Sequence, residues 1–306
     1  MPDRKCNIVI DSCCDLPYEV VESLDVTKLL FPFEMSDGVH LGDFGQSMTN
    51  EEFYRRMSED GEFPKTAQLP LFDLVDTFEN IAESGEPTVV LCLSSGLSGT
   101  FDTLVNVVNS ALERHPNAEI HVVDTLLASI AEGLLILEAV KQRDRGLSAA
   151  ELAVWAREAR YFVHGYFTVG DLKWLREGGR IPPAVASIGA KLDIKPILTF
   201  DLKGRLTVNG LSRGRKKSLK SLAKLITGKM TEPSDSQMIF ANAQSESDMK
   251  ELERLCTNEG SNFMETEIGP VIGSHVGPGM VAGTFWGPDR REQNLLGDKI
   301  VRSAKK

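Results

Sequence analysis

Thr88-Val-Val-Leu-Cys-Leu-Ser94-Ser95-Gly96-Leu97-Ser98-Gly99-Thr100-Phe101 is the stretch whose reading decides the fold. Val89, Val90, Leu91 and Leu93 form an apolar, β-branched run of strand length. Ser, Gly and Thr then crowd together, after which Leu104, Val105, Val107, Val108, Ala111 and Leu112 recur at helical spacing. A strand that opens through such a turn straight into a helix leaves the helix's first amide hydrogens and positive dipole end facing the turn, which suits an anion. Two readings stay open at this point: the turn cradles an anion, or Ser98 or Thr100 only caps the helix.

Outward from this stretch the same strand-to-helix pattern repeats. Ile8-Val-Ile10 runs into Asp11-Ser-Cys-Cys-Asp15-Leu-Pro17, with Asp15 a candidate N-cap and Pro17 suited to a helix start. Leu29-Leu-Phe-Pro-Phe33 is a second apolar run, and Thr49 to Met57 reads as a capped helix. Thr66-Ala-Gln68-Leu-Pro70 is a polar turn just ahead of a helix from Leu71 to Ala82. Ile120 to Thr125 reads as a strand, Ala128 to Val140 as a long apolar helix, and Ser148-Ala-Ala-Glu151 as a capping box for a helix reaching Arg160. Alternating strands and helices predict a mostly parallel sheet covered by helices on both faces.

The second half reads differently. Tyr161 to Val169 is an aromatic strand and Asp171 to Glu177 a helix ending at Gly178-Gly179. Ile194 to Leu198 and Arg205 to Val208 flank a Lys203-Gly204 turn, which predicts a hairpin. Helices over Ser218 to Ile226 and Ser247 to Leu255, and strands over Met238 to Ala241, Phe263 to Ile268 and Met280 to Trp286, complete an α+β pattern, with Gly273 to Gly279 read as a glycine-rich loop. The expected architecture is α/β in two domains, 1–160 with a mostly parallel sheet flanked by helices and 161–306 as an α+β unit.

At 306 residues and 42% hydrophobic content the chain is long enough for two cores. A net charge of -10 and a pI of about 5.1 argue against general nucleic-acid binding and against an anionic membrane surface. No segment approaches the roughly 20 apolar residues of a transmembrane helix, and the short apolar stretch near the N-terminus is broken at once by acid, so a cytoplasmic protein is expected. Five cysteines without a Cys-x-x-Cys pair, and no His at a zinc spacing, predict reduced thiols and no metal site.

Several catalytic motifs are absent. No Lys follows the glycines after Ser94, so the turn is not a phosphate-binding Walker loop, and Gly96-Leu-Ser98-Gly99 lacks the glycine placement of a nucleophile elbow. Gly277-Pro-Gly279-Met-Val-Ala-Gly283 has the wrong spacing for a dinucleotide fingerprint. His275, between glycines, reaches either a ligand or backbone, and Arg180, just past Gly178-Gly179, suits a helix C-terminus. Arg213, Arg215, Lys216 and Lys217 form a basic run in an acidic chain, read either as a solvated helix face or as a docking surface for an acidic partner or phosphate.

Six motifs, in order, closely resemble the DegV family: Asp11-Ser12-Cys-Cys-Asp15-Leu16, Thr66-Ala-Gln68, Ser94 to Phe101, Leu175-Arg-Glu-Gly-Gly-Arg180-Ile181, Ile194-Lys-Pro-Ile-Leu198, and Ile268 to Gly279. The resemblance covers nearly the whole chain. It implies a bacterial fatty-acid-binding protein with no cofactor, holding a long-chain fatty acid in a buried tunnel. It also implies a partner, a dihydroxyacetone-kinase-like fatty acid kinase that phosphorylates the carboxylate to an acyl phosphate. Carried over by position, the carboxylate ligands are Thr66 and Ser98. The resemblance implies that His275 lies near the carboxylate and leaves Arg180 either facing the ligand or bracing the domain interface; the basic run, on its charge, is a candidate partner surface. The chain departs from the family at Ala67, often Ser, and at Ser129 to Gly133, where glycines are more usual; the second departure is expected to alter pocket shape and chain-length preference.

The physical chemistry agrees with that division of labour. Burying a sixteen-carbon chain yields about 10 kcal/mol gross at roughly 0.8 kcal/mol per methylene, so affinity resides in the tail. The carboxylate costs several kcal/mol to bury unless hydroxyls and amides replace its water. A rival enzymatic reading makes Ser98 a nucleophile and His275 its base in an acyl hydrolase or transferase, and a third substitutes another apolar carboxylate or an isoprenoid for the fatty acid.

Overall fold

A computed structural model describes residues 5–186, 193–230 and 237–292. The first four residues of the N-terminal stretch and residues 293–306 of the expected second unit lie outside them. In chain order the elements are β1 (Asn7–Asp11), α1 (Tyr18–Ser23), β2 (Thr27–Leu29), β3 (Pro32–Met35), β4 (Gly38–Leu41), α2 (Asn50–Ser58), β5 (Lys65–Thr66), α3 (Leu71–Ser84), β6 (Thr88–Cys92), α4 (Thr100–Arg114), β7 (Ile120–Asp124), α5 (Ile130–Asp144) and α6 (Ala149–Ala159). There follow β8 (Val163–Thr168), α7 (Lys173–Glu177), α8 (Pro183–Ala186), β9 (Ile194–Phe200), β10 (Leu206–Arg213), α9 (Arg215–Thr227), β11 (Met238–Asn242), α10 (Glu246–Cys256), β12 (Phe263–Glu267), α11 (Pro270–Val276) and β13 (Val281–Trp286).

Four strands form a parallel sheet in the order β2-β1-β6-β7. Its two central strands, β1 and β6, are buried along their whole length, which is why both read as unbroken apolar runs. One carboxylate ties their C-terminal ends together: Asp11 accepts from the Cys13 N–H at 2.9 Å and from the Leu93 N–H at 2.7 Å. The turns after these strands therefore leave the same edge of the sheet, the usual ligand-binding edge of an open parallel sheet.

All six strands of the larger sheet come from residue 163 onward, in the order β10-β9-β8-β13-β11-β12. Neighbours are antiparallel except β11 and β12, which run parallel, a pairing that antiparallel expectations for this half did not include. Side chains alternate across it. Tyr166, Ile197, Phe240, Val281 and Phe285 meet Leu219, Leu222 and Ile226 of α9 and Met249 and Leu252 of α10. Phe167, Leu198, Ala241 and Ala282 face the other way, into the main core. On that face lies α5, against β8, β11 and β13 and against the Ser12–Cys14 turn. Both of its flanks are covered, so Ile130, Leu134, Leu135, Ile136 and Val140 are all buried, as its unpatterned apolar sequence demands. The main core consequently runs from Cys6 to Ala282 without interruption.

A small third sheet, β4-β3-β5, splits the run Leu29 to Phe33 between two sheets, since β2 joins β1 while β3 pairs with β4 and β5. Two local expectations are corrected. Asp15 is not the cap of α1: it sits at φ 48° and its carboxylate accepts instead from Ser129 Oγ at 2.5 Å and from the Gly269 N–H at 2.9 Å. Asp11 caps the short 3-10 turn, and α1 begins after Pro17. The Gly273 to Gly279 segment is not all loop, because Pro270–Val276 is helical with Pro270 in its first turn. Both expected caps are present, with Thr49 accepting from the Glu52 N–H and the Ser148–Glu151 capping box bonding reciprocally.

Candidate functional site

A cavity of about 330 Å³ lies between the edge of the parallel sheet, α5 and the larger sheet, within the range of small-molecule sites. Thr66, Ser98, His275 and Arg180 lie together on its wall, although they come from four distant parts of the chain. Phe31, Ile130, Phe167, Phe200, Leu206 and Met280 line its apolar remainder. The polar residues are half-buried, with exposed Ala67, Gln68 and Gly99 beside them, so that end of the cavity reaches solvent.

Thr66 is fixed through its backbone, paired opposite Phe33 in β5. Its Oγ1 lies 2.8 Å from Nε2 of His275, in the last turn of α11. Burial and the neighbouring Arg180 charge push His275 down to about 4, opposed in part by the Gly178 backbone, so the ring is neutral at pH 7. The ring packs so closely on Gly178 that a Cβ there would overlap Nδ1, which accounts for the first glycine of the Gly178-Gly179 pair.

Ser98 and the helix dipole are combined in one turn. Its hydroxyl accepts from the Thr100 N–H at 3.3 Å and lies 3.0 Å from Thr100 Oγ1 at the start of α4. The capping role and the ligand role are thus compatible, since a hydroxyl that accepts from the backbone still has a proton to give. Arg180 reaches across from the second half: Nε donates to the Leu97 carbonyl at 3.2 Å and Nη1 to the Gly178 carbonyl at 2.7 Å. It braces the Ser94–Thr100 turn and lines the cavity as well.

Other expected site residues stand elsewhere. Arg213 ends β10, and Arg215, Lys216 and Lys217 open α9, the helix that covers the sheet face away from the cavity. Arg213, Lys216 and Lys217 are exposed, whereas Arg215 is engaged by Asp248 at 2.7 Å. The Ser98 and His275 pairing of a hydrolase is not formed: the ring nitrogen meets Thr66, and among the described residues Ser98 bonds only to Thr100 and Ser94. The charge that His275 senses is a cation, the opposite of the acid that orients a catalytic base.

The sequence reading missed the supports. Ser95 is gripped by Asp124, with Oγ to Oδ2 at 2.5 Å and N to Oδ1 at 3.1 Å, and Gln68 accepts from Thr103 Oγ1 at 3.2 Å. Ser129, in the region that departs from the DegV pattern, lines the cavity at φ 59° and donates to Asp15. Single-residue spacing carries no signal for such contacts, which join separate elements. All five cysteines are buried, and burial raises the thiols of Cys13, Cys14 and Cys92, so they are protonated rather than reactive.

The sequence pattern of the family described as "Uncharacterised protein, DegV family" matches residues 5–286. The chain belongs to the DegV family. A DegV domain-containing protein of Clostridium perfringens is 32% identical over 286 residues, spanning 93% of this chain and 98% of its own. Among solved structures, the DegV lipid-binding protein of Thermotoga maritima aligns with a TM-score of 0.79 at 28% identity, over 94% of this chain and 99% of its own. A stearic acid-binding protein from Eubacterium ventriosum gives 0.79 at 26% identity, over 92% and 98%. The DegV fold is accordingly a mixed α/β one, with a parallel sheet plus helices and a second sheet, as the sequence led one to expect. No helix among the described residues is long and apolar enough to cross a membrane.

Proposed function

We propose that this DegV protein binds one long-chain fatty acid, with its carboxylate at Thr66 and Ser98 and its tail in the apolar cavity, and presents the head group to a dihydroxyacetone-kinase-like kinase for acyl phosphate formation. The observation that carries the reading is the single cavity wall on which two hydroxyls, one at a helix start, meet the solvent-reaching end of an apolar pocket. The lipid-binding relatives support the ligand class. His275 acts behind Thr66: a neutral imidazole at 2.8 Å orients the hydroxyl without adding charge. Arg180 contributes positive potential near the head group while holding the turn.

In this reading the protein is a carrier and the kinase supplies the chemistry, which places it beside that kinase in the cytoplasm. Residues 1–160 supply the carboxylate turns and residues 161–306 complete the pocket as a second unit. The exposed Arg213, Lys216 and Lys217 form the partner surface, and because they lie on the far side of the larger sheet they serve recognition rather than phosphoryl transfer. Organic extraction of natively purified protein tests the reading: about one fatty acid per chain is expected. Protein that carries none and takes up neither oleate nor palmitate sinks it.

A further inference from the structure

Ser94 and Gly96 take no part in these ligand contacts, yet both are pinned to the second half of the chain. Ser94 is fully buried, and its Oγ donates at 2.9 Å to the carbonyl of Gly204, in the turn between β9 and β10. Gly96 lies flat on the same turn, where a Cβ would overlap the Lys203 carbonyl and come within 2.7 Å of Gly204 C. Gly204 stands at φ 70°, and a Cβ there would overlap Ser94 Oγ. Two bare backbones are in contact around one buried hydrogen bond.

The connection runs on to the ligand site. Ser98 N donates to the Ser94 carbonyl at 3.2 Å, so a shift of Ser94 moves Ser98. The turn is itself shaped by Asp201, whose Oδ1 accepts from the Lys203 N–H at 2.8 Å and the Arg205 N–H at 3.0 Å. Phe200 and Leu206, paired across the foot of this hairpin, both line the cavity. We infer that the β9–β10 turn is a positioning element for the carboxylate site: Asp201 and Gly204 set Ser94, and through it Ser98, so head-group binding depends on a turn that does not line the cavity. This rests on the fatty-acid reading above.

Equilibrium binding of oleate and of oleyl alcohol, the same chain without the carboxylate, tests it. Ser94→Ala is expected to weaken oleate by about tenfold, the worth of one misplaced hydrogen bond to a charge, and oleyl alcohol by less than about threefold. Asp201→Ala, in a half-exposed turn outside the cavity wall, is expected to act in the same direction by about threefold and carries the test if Ser94→Ala does not fold. Leu202→Ala, exposed at the tip, should change neither ligand. Equal loss for both ligands, or unchanged oleate affinity in both Ser94→Ala and Asp201→Ala, overturns the inference. A wild-type protein that fails to bind oleate overturns the fatty-acid reading instead, and this inference with it.

Discussion

The proposed head-group site rests on two hydroxyls, Thr66 and Ser98, on one cavity wall. In the proposed function each hydroxyl is already anchored, Thr66 beside His275 Nε2 and Ser98 on the Thr100 N–H, so neither has to be repositioned when a carboxylate arrives. A hydrogen bond to a charged group is worth about 1.5–3 kcal/mol, and Thr66→Ala or Ser98→Ala is therefore expected to weaken fatty-acid binding by roughly ten- to a hundredfold. Both residues are half-buried, so Tm should fall by only a few degrees; a large Tm loss with unchanged affinity would contradict the assignment. Asp15 supplies a different residue-scale test. Burial pushes its carboxyl up to about 7 from 3.8, so the folded protein keeps a proton between about pH 4 and 7 that the unfolded chain has released. Stability attributable to this site thus falls as pH rises through that window. Asp15→Asn removes the titration, and the variant's Tm relative to wild type should improve from pH 5 to pH 8; a constant difference would show that the carboxyl titrates normally. The motif made Asp15 visible in the sequence as a cap, but its partners Ser129 and Gly269 lie 114 and 254 residues away, beyond what local spacing reports.

At the scale of elements, what was legible was what burial writes into the sequence. β1, β6 and α5 are enclosed on all sides and show it as continuous apolar runs, so their presence followed from composition alone. Leu135 of α5 is fully buried between layers, and Leu135→Ala is expected to cost about 2–5 kcal/mol, read as a marked fall in Tm or denaturation midpoint. A loss below about 1 kcal/mol would mean that α5 does not occupy the interior. α11 was illegible for the opposite reason. Gly273 is there because Phe53 and Tyr54 of α2 press against its backbone, leaving no room for a Cβ, and a glycine chosen for packing looks the same in sequence as one chosen for a loop. The Leu29 to Phe33 run likewise gave no sign that a proline-bounded kink hands the chain from one sheet to another.

Across the whole molecule, the parallel sheet and the larger sheet share one core, while the cavity and the basic run fall on opposite faces of the larger sheet. Charge reversal at Arg213, Lys216 and Lys217 should therefore raise the apparent KM for the carrier in a kinase assay while leaving oleate affinity unchanged; equal KM values would return the run to an ordinary solvated helix face. The bond between Thr66 and His275 spans 209 residues, and that from Thr266 Oγ1 to the Asp15 carbonyl spans 251. During synthesis, the first strands and the Ser98 turn leave the ribosome long before the segment that completes their pocket, and pairings so distant are slow to close. A nascent chain halted anywhere before α11 would display the apolar wall of an unfinished cavity, so for this protein the interval between translating Thr66 and translating His275 is a period of exposure to chaperones and aggregation.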